Sequence, residues 1–97
     1  MNDLKYNVSL IPIEKLSISE GNIRKLCVEA EELIPSIQKE GVKEPLHVYE
    51  SKDGYAIIDG QRRFLAAKKI ELTSLPCIIH PEIENEAQAK EYSFIQT

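Results

Sequence analysis

The apolar residues of the chain fall into four short runs of strand length and three longer stretches with helical spacing. Val8-Ser9-Leu10-Ile11-Pro12-Ile13 is the first run. Its proline suits an edge strand or a strand end, because proline gives no N–H to a ladder. Glu14-Lys15-Leu16 then leads into Ser17–Asn22, a polar loop containing Gly21. Cys27 to Glu40 has helical spacing, with Leu33, Ile34 and Ile37 on one face and Gly41 as the stop. Pro35 conflicts with that pattern, since a proline inside a helix costs about 3 kcal/mol. Either the helix kinks there or Pro35 opens a second short helix. Pro45–Glu50 alternates as a strand, Ser51-Lys52-Asp53-Gly54 is a hairpin turn with an Asp-Gly signal, and Tyr55–Asp59 is the return strand. Gln61–Ile70 is predicted helical and packed on the hairpin through Leu65, Ala66 and Ala67. Leu75–His80 is a further strand, and Glu84–Gln96 a last helix with Ala87, Ala89, Tyr92 and Ile95 apolar. The order β-α-β-β-α-β-α, with one antiparallel hairpin, defines an α+β or mixed α/β class. The last helix runs to Thr97 without a stop signal, as in a domain cut from a longer protein.

Composition narrows the function classes. A chain of 97 residues with 42% hydrophobic and 29% charged residues is one ordinary globular domain. No apolar run reaches the ~18 residues of a membrane span, and Met1-Asn2-Asp3-Leu4-Lys5 lacks a signal-peptide core. A cytoplasmic protein without membrane partners is the expectation. Cys27 and Cys77 each lie among apolar neighbours and are expected to be buried small hydrophobes. With no C-x-x-C and no Cys/His cluster, a zinc-type site is not expected. His47 and His80 flank strand-like runs and are read as structural. The net charge of −4 opposes non-specific nucleic-acid binding by the whole domain. Charge is nevertheless segregated: Arg62, Arg63, Lys68 and Lys69 cluster, while Glu82, Glu84, Glu86 and Glu91 crowd the end.

The densest chemistry lies at Tyr55-Ala56-Ile57-Ile58-Asp59-Gly60-Gln61-Arg62-Arg63-Phe64-Leu65-Ala66-Ala67. An apolar strand ends in Asp-Gly, and two arginines open the helix that follows. The first turn of a helix has unpaired N–H groups and the positive end of the dipole. Gly60 permits close approach to the backbone. Arg62 and Arg63 supply planar, permanently charged forks suited to phosphate oxygens. Asn22-Ile23-Arg24-Lys25 is a second basic point. The candidate phosphate site is therefore Gly60, Gln61, Arg62 and Arg63. The plainer reading of paired arginines on a helix is solvated surface charge.

Several motifs in order carry a family resemblance. These are Ile11-Pro12-Ile13-Glu14-Lys15-Leu16, Asn22-Ile23-Arg24, Leu33-Ile34-Pro35-Ser36-Ile37-Gln38-Lys39-Glu40-Gly41-Val42-Lys43-Glu44-Pro45-Leu46, and the Asp53–Ala67 run. Over residues 8–95 the chain resembles the N-terminal domain of ParB partition proteins. The resemblance implies the ParB/sulfiredoxin-like fold, a small mixed sheet with flanking helices. It implies a nucleotide switch that binds CTP, with magnesium, in a protein whose separate helix-turn-helix domain reads DNA. The family's Gly-Glu-Arg-Arg box falls on Gly60, Gln61, Arg62 and Arg63, and an upstream nucleotide-proximal loop falls on Asn22 and Arg24. It implies as partners a second ParB copy and a ParA-like partition ATPase, and a plasmid- or nucleoid-associated protein. This piece alone would bind DNA weakly at most.

The chain departs from the family pattern at Gln61, where the family has an acidic residue, and at Leu65, where it has another arginine. The family's second box, Glu-Asn-x-x-Arg, would begin near Phe94-Ile95-Gln96-Thr97 and is absent or truncated. That box supplies magnesium and phosphate contacts, so the resemblance implies poor nucleotide binding and poor hydrolysis by this piece alone. Sulfiredoxin activity is not expected, since Gln61 stands where sulfiredoxins place a catalytic cysteine. The alternative function is a small-molecule phosphotransferase of the same superfamily, with Glu44 or Asp59 as the base. Nuclease activity would need clustered carboxylates for metal, and only the acidic tail is rich in them.

Overall fold

The structure, a computed structural model, describes residues 8–18 and 23–96. Its strands are β1 (Val8–Pro12), β2 (Leu16–Ser17), β3 (Leu46–Ser51), β4 (Gly54–Asp59) and β5 (Ser74–Ile79). Its helices are α1 (Ile23–Glu31), α2 (Ile34–Glu40), α3 (Gln61–Lys69) and α4 (Glu86–Gln96), and a single 3-10 turn, Ile13–Lys15, joins β1 to β2. The strands form one mixed sheet in the order β1-β5-β3-β4-β2. β3 pairs antiparallel with β4 and parallel with β5, β1 antiparallel with β5, and β2 parallel with β4. The mixed α+β class and the hairpin followed by a helix match the pattern of the sequence.

The elements differ from expectation where local signals conflict. Pro35 opens a second helix: α1 ends at Glu31, and Pro35 sits in the first turn of α2. There its missing N–H costs nothing, because those N–H groups have no helical partner. Helix α1 starts at Ile23, four residues before the predicted Cys27. Its inward residue is Ala30, and Cys27 is exposed, a correction to the expectation that both cysteines are buried. Cys77 is fully buried, and burial pushes its thiol up to about 11. The two-residue strand β2 lies in a stretch too short to show a period. It pairs Leu16 with Tyr55 and Ser17 with Ala56. A side chain on Gly54 would place a Cβ 2.4 Å from the Lys15 carbonyl oxygen, so glycine lets the hairpin pass beneath the 3-10 turn.

Helix α3 is the centre of the packing. Phe64 and Ala67 enter the sheet core with Leu46, Val48, Leu75 and Cys77. Ala66 faces away from the sheet and packs with Ala30 of α1 and Ile37 of α2. Both alanines are fully buried, which brings a layer to each side of α3 at close range. Phe64, rather than Leu65, is the main anchor, since Leu65 is only partly buried. Helix α4 covers part of the other sheet face, with Tyr49, Ile58, Ile83 and Ala89 as its small core. Ala87 is exposed, and the side chain of Ile95 lies outside the described residues.

Candidate functional site

The turn from β4 to α3 is built by an irregularity in the hairpin. Val48 pairs with Ile57, but His47 pairs with Asp59, which leaves Ile58 as an extra residue on β4. Such a bulge re-aims the strand end. Gly60 follows with φ 105°, and a Cβ there would lie 2.7 Å from Leu46 Cγ. Both facts select glycine. The Gly60 carbonyl accepts the Phe64 N–H at 3.0 Å, the first turn of α3. No side chain caps this helix, and no acidic residue lies in its first turn. The N–H groups of Gln61, Arg62 and Arg63 therefore remain at the positive end of the dipole.

The side chains divide between bracing and exposure. Gln61 Nε2 donates to the Ile58 carbonyl at 3.1 Å and folds back over the bulge. Arg63 Nη1 donates to the carbonyls of Glu44 and Pro45, each at 3.2 Å, and Nη2 lies 3.6 Å from Glu44 Oε1. Arg63 thus ties α3 to the loop before β3. Arg62 is 59% exposed and lies 3.7 Å from Glu29 Oε1 of α1. Asp59, Gly60, Gln61, Arg62 and Arg63, with Leu33, line a cleft of about 240 Å³. The structure brings those four sequence-predicted residues together. Arg24 is exposed on the first turn of α1 and does not line the cleft, although Glu29 and Arg62 link that helix to the turn. Asn22 lies outside the described residues. A second cavity, about 350 Å³, opens under α4 between Tyr49, Ala56, Ile58, Ala89 and Lys90, and Gln61 lines it too.

Beside this turn is a cluster that sequence reasoning missed. His47 Nδ1 and His80 Nε2 are 2.8 Å apart, and His80 Nδ1 lies 3.1 Å from Glu82 Oε2. Tyr92 of α4 packs on both imidazoles, with ring centroids 5.9 Å from His47 and 4.6 Å from His80. His80 is fully buried, and its backbone N–H donates to the Val48 carbonyl at 2.9 Å. Burial, the neighbouring His80 and Arg63 hold the His47 pKa below its usual value, against Asp59, which raises it. The structural reading of both histidines fits this packing, but the partner was legible. Glu82 follows His80 by two residues. Among the described residues no group of three or more His, Cys, Asp or Glu side chains could hold a metal ion.

The fold agrees with the relatives of this chain. The sequence profile of the ParB N-terminal domain matches residues 2–94, and the chain belongs to that family, the N-terminal domain of chromosome-partitioning proteins. A probable chromosome-partitioning protein ParB from Borreliella burgdorferi is 41% identical over 85 residues, spanning 86% of this chain and 32% of the relative. The crystal structure of C-terminally truncated ParB from Caulobacter crescentus, complexed with CTP-gamma-S, superposes with a TM-score of 0.76 at 27% identity, over 93% of this chain and 52% of that one. Arabidopsis thaliana sulfiredoxin shares the fold, with a TM-score of 0.61 at 22% identity, over 91% of this chain and 97% of that one. The chain spans about a third of the length of the Borreliella relative. The family match favours the partition reading over the phosphotransferase alternative.

Proposed function

We propose that the turn from Asp59 to Arg63 holds the triphosphate of a cytidine nucleotide, and that the domain is the nucleotide switch and interaction module of a ParB-type partition protein. The observation that carries this reading is the uncapped N-terminus of α3 with Gly60 before it and an exposed Arg62 beside it. Three free N–H groups and a guanidinium suit an anion. The Caulobacter ParB solved with CTP-gamma-S supports the choice of nucleotide. Arg62 is the ligand contact with least structural duty, and Arg63 would contact phosphate while holding the Glu44–Pro45 loop. Arg24 and Asn22 would close the site from the side of α1. Gln61 lines both cavities, which suits an elongated ligand with its anionic end at α3 and its other end under α4.

Magnesium would arrive on the triphosphate. Magnesium is commonly bound through one or two carboxylates plus substrate phosphates. Asp59 is the carboxylate at the cleft, and it fits that part. The other contacts are proposed to come from the longer protein, as is hydrolysis of the nucleotide. DNA reading also belongs there. Arg62, Arg63 and Lys69 already face Glu29, Glu44 and Glu31, so few cations remain in this cluster to release counterions from DNA. The domain would couple nucleotide state to contact with a second copy or a ParA-like ATPase, in the cytoplasm on a plasmid or nucleoid.

Calorimetric titration of CTP and ATP into the full-length protein tests this. CTP is expected to bind in preference to ATP, and Arg62→Ala to weaken it about tenfold, the loss of one charge-assisted hydrogen bond. Unchanged CTP affinity in Arg62→Ala would overturn the site.

A further inference from the structure

The imidazole pair beneath α4 has a property that does not depend on what the α3 turn binds. A hydrogen bond between two imidazole nitrogens needs one N–H and one bare nitrogen. His80 Nδ1 faces a carboxylate and therefore carries its proton. In the neutral pair His80 Nε2 is then the acceptor and His47 Nδ1–H the donor across 2.8 Å. One added proton is tolerated. Placed on His47 Nε2 it leaves the bond intact. Placed on His80 it reverses the bond, and Glu82 balances the charge. A second proton puts N–H against N–H, and the pair must part.

Groups from several neighbouring elements face the pair. β4 presents Asp59, opposite His47 in register, and α3 presents Arg63. β5 presents apolar Ile78 opposite His47. The connection to α4 presents Glu82, and α4 presents Tyr92. Tyr92 lies within one turn of Ala89 and Lys90, which line the larger cavity with Gln61. What happens to the pair is therefore felt by the helix that roofs that cavity.

We propose that His47, His80 and Glu82, roofed by Tyr92, form a proton-operated clasp on α4: one added proton is held, and a second separates the imidazoles and loosens the helix. The second proton is the one that opens the helix.

Amide hydrogen exchange of the full chain, corrected for intrinsic rates, reads this between pH 7.5 and pH 5. Exchange at Ala89–Tyr92 is expected to rise tenfold or more relative to α3. In His47→Asn the acid response is expected to vanish, because an amide can turn either N–H or C=O to His80 Nε2. An equal acid response in α3 and α4, or an unchanged response in His47→Asn, would overturn the clasp. Imidazole nitrogen chemical shifts of the wild-type protein give a second reading should the variant fold poorly. Two coupled steps support the clasp, and two independent titrations near the ordinary histidine value overturn it. Protection of α4 by added zinc at neutral pH would also overturn it, by showing a metal site in its place.

Discussion

The two faces of the sheet are built on different principles. The face toward α3 is filled by Leu46, Val48, Ile57, Phe64, Ala67, Leu75 and Cys77, all buried and all apolar. The face toward α4 has a smaller core, a buried histidine, two tyrosines and the larger cavity. Close packing without polar atoms makes a rigid layer. Polar rings that need particular protonation states make one that responds to conditions. The contrast places the proposed phosphate turn on the close-packed α3 side and the proposed clasp on the α4 side. The turn sits where the two meet, and Gln61 touches both.

Unfolding in urea should expose that asymmetry. Phe64→Ala removes the anchor of the α3 face and is expected to cost about 3–5 kcal/mol. Tyr92→Ala, on the α4 face, is expected to cost about 1–2 kcal/mol, in the range of ordinary substitutions. Equal costs would break the comparison. Gly54→Ala forces a Cβ against the Lys15 carbonyl and should cost about 1–3 kcal/mol, as overpacking does. A neutral result would show that the 3-10 turn moves aside freely.

A smaller effect depends on pH and sharpens the contrast. His47 is held below its ordinary value of 6.5, so the folded chain binds that proton more weakly than the unfolded chain. Its contribution to stability is whole above about pH 6.5 and is lost as the pH falls from there toward the lower folded value. The urea midpoint of the wild type should drop across that window, and that of His47→Asn should drop less. Equal drops would place the acid sensitivity elsewhere. Smallest of all, Lys69→Ala should leave the midpoint unchanged, because the Lys69–Glu31 pair is wholly at the surface.

Thiol labelling checks the exposure of Cys27 and the burial of Cys77. Cys27 should react with a disulfide reagent in the folded protein at pH 8. With its thiol pushed to about 11, Cys77 should be thiolate in only about one molecule in a thousand there. It should react only on unfolding. Fast labelling of both would contradict the burial of β5.

How much of this was legible depended on whether the signal was local. The hairpin, its return strand and α3 follow from Asp53-Gly54, the apolar run to Ile58 and the alanine-rich stretch after Gly60. Pro35 announced a break but not which of two outcomes, since a kink and a new helix start satisfy the same φ restriction. The exposure of Cys27 was hidden because apolar neighbours in sequence say little about a helix face. Only the docking of α1 on α3 decides that Ala30 turns inward. Four of the six candidate site residues were adjacent in sequence and stayed adjacent in space. The imidazole pair was not legible, because His47 and His80 meet through the parallel pairing of β3 with β5. No periodicity within either strand reports that pairing.

The sheet order also governs how the chain assembles in time. Among the described strands β1 precedes the others in sequence, yet it lies at one end of the sheet order and pairs with β5, Val8 opposite Ile78. During synthesis, Val8–Pro12 waits without a partner until Ser74–Ile79 has left the ribosome. The hairpin and α3, close in sequence, can organise earlier, because short loops close at lower entropic cost. The earliest of the described strands therefore docks after the hairpin. An unpaired strand edge with Val8 and Leu10 exposed is the segment that a ribosome-bound chaperone would have most reason to cover.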